Sequence, residues 1–87
     1  MIVQNMTGRS GRPVVNQFII NNGMQGEFFQ SYNSIVAISR QGVVTLDRDT
    51  WQYSRTTMKY LSKFLGESMG EIRRKVESGL YTLADLN

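Results

Sequence analysis

Arg55, Lys59 and Lys63 stand four residues apart in the stretch Trp51–Leu65, WQYSRTTMKYLSKFL, which holds three cations and no acid. On a helix that spacing sets them on one side at successive turns. Such a row can neutralise neighbouring phosphates of a nucleic acid, in binding that weakens as salt rises. The plainer reading is a solvated helix face, which lysine and arginine populate widely. Two further cation groups lie outside this stretch. Arg9 and Arg12 sit in the loop Thr7–Pro13, TGRSGRP, and Arg73 and Arg74 in the segment GEIRRKV. Together these seven residues are the candidate contacts to a nucleic acid or another partner.

Other chemistries find little support. The chain has no histidine and no cysteine, so the commonest general base, the commonest zinc ligand and any thiol nucleophile are missing. Ser54, Thr56 and Thr57 carry hydroxyls with no recognisable base to activate them. Asp47 and Asp49 make a carboxylate pair without a third ligand, and strand-end and helix-cap duty accounts for both. The GRSGR loop is followed by no Gly-Lys-Ser/Thr and is not a phosphate-binding P-loop. It resembles flexible, arginine-bearing arms that enter grooves, or is simply a surface loop. The sequence therefore reads as that of a protein that is not an enzyme, with no catalytic residues, no bound metal and no small-molecule cofactor.

The cationic row needs a helix with one buried side. At about 100° per residue, Trp51, Met58, Tyr60, Leu61, Phe64 and Leu65 fall within one half of the wheel, opposite the cations. Asp49 is the expected cap, with Gln52 completing a capping box, and Gly66 the expected stop. The main helix is thus placed at 50–65. A second helix is placed at 68–78, from a Ser68–Glu71 box through Met69, Ile72 and Val76 to Gly79.

Upstream, Ile2–Met6 reads as an edge strand, and residues 1–13 as that strand with a flexible basic loop. Residues 14–46 read as a β-meander of four strands: Val14–Asn21, Gly26–Tyr32, Ser34–Arg40 and Val43–Leu46. Asn21-Asn22-Gly23 and Gln41-Gly42 supply turns, and each connection is too short for a parallel crossover. The expected fold class is α+β, an antiparallel sheet of about four strands followed by two C-terminal helices packed on one face. The tail 80–87 fits a strand, a helical turn or a docked extension equally.

Two patterns have competing readings. Leu61 to Val76, with Gly66 at a corner, is compatible with a DNA-reading helix-turn-helix carrying Arg73, Arg74 and Lys75. Glu67 occupies a place where such units put an apolar residue, and the first helix is long for the module, so two packed helices sharing a glycine corner is the preferred reading. In GEFFQSY, Phe28 and Phe29 point to opposite faces of a strand, so at least one belongs to the core; Tyr32 is the candidate for an exposed stacking platform.

At 87 residues the chain is read as one domain. Its net charge is +3, and no apolar run approaches the roughly 18 residues of a membrane span. No apolar leader is visible at the N-terminus, and the expected location is the cytoplasm.

The box Trp51-x-Tyr53-Ser54-x-Thr56-Thr57-x-Lys59-Tyr60, followed by Phe64-Leu65, resembles a signature of small proteins of unassigned function in tailed-phage and prophage genomes. Asn16-Gln17-Phe18, Phe29-Gln30-Ser31-Tyr32 and the ending Ser78-Gly79-x-Tyr81-x-Leu83-x-x-Leu86-Asn87 resemble the same group. The resemblance implies a phage-related origin and action in the host cytoplasm, and carries no activity or site residue. The leading expectation is a small nucleic-acid-binding protein that uses the cationic helix face. The alternatives are a protein-binding modulator or inhibitor of a host enzyme or defence factor, and an accessory virion or assembly protein. A homo-oligomer is compatible with all three.

Overall fold

Alternating apolar and polar residues, punctuated by glycine and asparagine turns, give strands that pair with their sequence neighbours. The computed structural model describes residues 1–87. It shows β1 (Ile2–Thr7), β2 (Pro13–Asn21), β3 (Glu27–Ser31), β4 (Ser34–Arg40), β5 (Val43–Asp47), α1 (Arg55–Leu65), α2 (Met69–Glu77) and β6 (Thr82–Ala84). All strands join one sheet in the order β1-β2-β3-β4-β5-β6. The first five are antiparallel; β6 lies parallel to β5. A parallel neighbour needs a long crossover, and α1 and α2 provide it.

The class is α+β, with two C-terminal helices over a mostly antiparallel sheet. The expected strand number of about four is corrected to six. One strand beyond the four of the meander is β1, the edge strand expected at Ile2–Met6, which pairs with β2 from Ile2 to Thr7 across a bulge. The other is β6, built from the tail. The tail is pinned by Arg48 N–H on the Ala84 carbonyl at 2.9 Å. Asn87 adds a strand-like pairing, its side-chain amide accepting from Ile35 N–H at 2.7 Å and donating to the Ile35 carbonyl at 2.9 Å.

The connection after Asn21 is longer than a two-residue hairpin, with one turn of 3₁₀ helix over Gly23–Gln25. Gly26 closes it at φ 95°, and a Cβ there would stand 2.4 Å from the Ser39 carbonyl oxygen, so no other residue fits.

The helices cover the sheet face that carries Phe29, Ala37 and Leu46. Phe29 stacks on Phe64 with ring centres 5.8 Å apart. Leu61 and Ile72 are fully buried in the same cluster with Tyr60, Trp51 and Tyr81. Each fully buried large side chain contributes about 1.5–3 kcal/mol, so this layer dominates the stability.

The main helix starts later than the expected residue 50. Asp47, not Asp49, organises the approach: its carboxylate accepts from Thr50 N–H at 3.0 Å and from the Thr50 hydroxyl at 2.7 Å. That turn buries Trp51 ahead of the helix. Ser54 then caps α1, its Oγ accepting from Thr57 N–H at 3.1 Å. An aspartate-threonine turn and a serine cap, each locally satisfied, outcompete a capping box at Asp49 because they leave Trp51 free to enter the core.

Candidate nucleic-acid interface

Ser54 does more than start α1. It also donates to Thr57 Oγ1 at 3.1 Å, and Thr57 Oγ1 lies 3.0 Å from Ser31 Oγ on β3. Thr57 and Ser31 are buried, so this chain of hydroxyls ties the first turn of α1 to the sheet. It forms part of the lining of an open cleft of about 590 Å³ between the β3–β4 turn and the segment Thr50–Ser54.

Two tyrosines flank the cleft, Tyr32 being 44% and Tyr53 73% exposed. Tyr32 takes a left-handed backbone, φ 57°, at the turn. Its N–H donates to the Asn16 carbonyl at 2.7 Å and its carbonyl accepts from Gln30 Nε2 at 2.9 Å, which holds a conformation that costs a bulky residue energy. Asn33 and Ser34 add amide and hydroxyl groups to the same cleft.

The cationic row begins one residue after the cleft-lining Ser54, on the side of α1 turned away from Thr57. Arg55 follows Ser54 directly, and Lys59 and Lys63 lie one and two turns on, each step about 6 Å along the axis. All three are exposed. The molecule contains two ion pairs, Arg48–Asp85 and Lys75–Glu67, and neither involves the row. Lys59 Nζ stands 5.5 Å from the centre of the Tyr60 ring. Lys63 Nζ donates to the Thr7 carbonyl.

That bond sets the β1–β2 loop beside the far end of the row. A Cβ at Gly8 would stand 3.3 Å from Val14 Cγ2 and 3.7 Å from the Tyr60 hydroxyl, and the loop closes on itself by Gly8 N–H to the Arg12 carbonyl at 2.9 Å. Arg9 and Arg12 are exposed there. Arg73 flanks the other end, its Nε donating to Gln52 at 3.3 Å and one terminal nitrogen reaching Met58 Sδ at 3.5 Å. Arg74 is separate: it lies about 160° from inward-facing Ile72 on the wheel of α2, and faces solvent.

The corner between the helices has a structural role. Glu67 accepts from Lys75 Nζ and from the Tyr81 hydroxyl, and Lys75 Nζ stands 5.2 Å over the Tyr81 ring. Burial pushes the Glu67 carboxyl up, but the bonds from Lys75 and Tyr81 outweigh it and hold the group below the usual carboxylate range. Asp47 behaves alike: burial raises it, and bonds from Thr50 and from Leu86 N–H bring it lower. No three acidic side chains converge into a group able to hold a metal ion.

The cleft has no local sequence signal: Tyr53 falls inside the helix expected at 50–65, and Ser31 and Thr57 are 26 residues apart. The cap of α1 is Ser54, where the sequence pattern points to Asp49.

The scaffold is thus a small α+β domain with an aromatic, hydroxyl-lined cleft at the head of an unpaired cationic helix edge. By sequence it belongs to a family of unknown function, DUF8033, which it matches over residues 1–78. That span takes in every residue of the cleft and the row. No curated protein and no solved structure matches the chain. No helix is long and apolar enough to cross a membrane.

Proposed function

We propose that this protein is a non-enzymatic binder of single-stranded nucleic acid. A base enters the cleft against Tyr53 and Tyr32, and the following phosphates run along Arg55, Lys59 and Lys63, with Arg9 and Arg12 at the far end. The observation that carries this reading is an acid-free cationic row that starts one residue after the cleft-lining Tyr53 and Ser54. Tyrosines offer a face that any base can stack on, worth about 1–3 kcal/mol per base, and the cations supply the salt-sensitive part. A phage-related origin of this protein and action in the cytoplasm of an infected host belong to the same proposal.

The test is a fluorescence anisotropy titration with labelled single-stranded DNA, single-stranded RNA and duplex DNA at several salt concentrations. Single strands are expected to bind more tightly than duplex, with a log–log salt slope of about −2 for three phosphates neutralised. Tyr53→Ala is expected to weaken single-strand binding about tenfold. Absence of binding at low salt, or unchanged binding by Lys59→Glu/Lys63→Glu, would overturn the proposal. A protein-binding modulator is the second reading, because exposed Tyr53 next to Arg55 is also an anchor type common at protein interfaces. Capture of a host protein that survives nuclease treatment and high salt would favour it.

A further inference from the structure

The sheet has two faces, and the helices cover one. On the other, Val3, Ile20, Phe28 and Ile38 are successive cross-strand partners from β1 to β4. Phe18 and Ile35 stand in the next row, on either side of Gln30. None of these six side chains joins the core cluster, whose sheet members point the opposite way. Val3 is exposed and the other five are half-buried, with Asn87 bonded to the Ile35 backbone at one end of the face. An apolar sheet face left to water is costly and is normally buried against a second layer.

Charge and area indicate what covers it. The charged strand residues whose alternation falls on this face are Arg40, exposed at the end of β4, and Asp47, buried at the end of β5 and bonded to Thr50 and Leu86. The row cations and Arg73 and Arg74 belong to the helices on the opposite side. A face whose one exposed charge is Arg40 at its rim gives an acidic partner little to pair with on a chain of net charge +3, whereas two copies can meet over its uncharged centre. Six strands of this length span roughly 500 Å² in projection. The corrugation of the side chains raises that figure toward the ~800 Å² that each partner gives to a standard interface.

We infer that two copies of this chain pack sheet against sheet through this face. The result is a closed two-fold dimer with Phe28 and Ile20 near its centre and the two cationic edges pointing outward. The inference is independent of what the cleft binds.

Sedimentation velocity from low to high micromolar concentration tests it. The wild type is expected to sediment as a species of twice 9.9 kDa. Phe28→Lys/Ile38→Lys is expected to weaken association at least about a hundredfold. The milder Ile20→Thr/Ile38→Thr keeps β-branched residues on the strands and should weaken it while retaining the native circular dichroism spectrum. The chain has no native cysteine, so Phe28→Cys should oxidise to a covalent dimer, whereas Tyr53→Cys on the opposite side should not. A wild type that stays monomeric throughout overturns the inference. So does a dimer that survives both double variants, or one that cross-links through Tyr53→Cys in preference to Phe28→Cys.

Discussion

Lys75 on α2 and Lys59 on α1 are the same residue type on neighbouring helices, yet the fold uses them differently. Lys75 is 35% exposed, bonds to a Glu67 side chain that is 11% exposed, and lies over the Tyr81 ring. It joins the helical corner to the segment leading into β6. Lys59 has no acid within reach and stands at the surface between two other unpaired cations. A cation whose charge is matched within the fold serves the fold. One whose charge is left unmatched keeps its field for a partner.

The largest expected effect breaks the unmatched side. Lys59→Glu/Lys63→Glu should lower single-strand affinity about a hundredfold and cut the salt slope by about 1.4. Its urea midpoint should move little, as surface changes stay within about 0.5 kcal/mol. The matched side should respond in the opposite way. Glu67→Ala removes the acceptor shared by Lys75 and Tyr81 and should cost about 1–2 kcal/mol in urea unfolding, with solvent screening at the lysine limiting the loss. Its nucleic-acid affinity should be unchanged.

Acid sharpens the contrast. Glu67 and Asp47 are both held below the usual carboxylate range. Their contribution is therefore complete above the unfolded-state values near 4 and is lost as pH falls through the lower folded-state values. Stability measured against pH should drop in that acid window, and Glu67→Gln should make the drop shallower.

Ser54→Ala sits between the two regions. It removes the cap of α1 and one link of the hydroxyl chain, and should cost about 1 kcal/mol in thermal or urea unfolding. Smallest of all, Arg74→Ala should alter affinity less than about twofold, since Arg74 faces away from the row. An Arg74 effect as large as that of Lys59 would move the interface onto α2 and restore the helix-turn-helix reading.

Residues close in sequence carried most of what was legible beforehand. Gly66 takes the left-handed conformation expected of a helix stop, at φ 69°, and Ser68 caps α2 through Glu71 N–H at 3.2 Å. Phe29 is the core member of the Phe28–Phe29 pair. The misplaced helix start turned on rival caps a few residues apart, a choice decided by where Trp51 could be buried. The undecided tail turned on contacts with β5 and Ile35, which no local pattern contains.

By itself the sequence determined the spacing of Arg55, Lys59 and Lys63 and the absence of acids among them, because helical neighbours are fixed by a period of 3.6 residues. It likewise set the meander, whose strands meet across short turns. Only the tertiary structure decided that Glu67 would claim Lys75 and Tyr81, that Ser31 would meet Thr57 beneath a cleft, and that one sheet face would be left uncovered. Those outcomes join residues far apart in the chain, and packing of the whole, not local preference, brings such residues together.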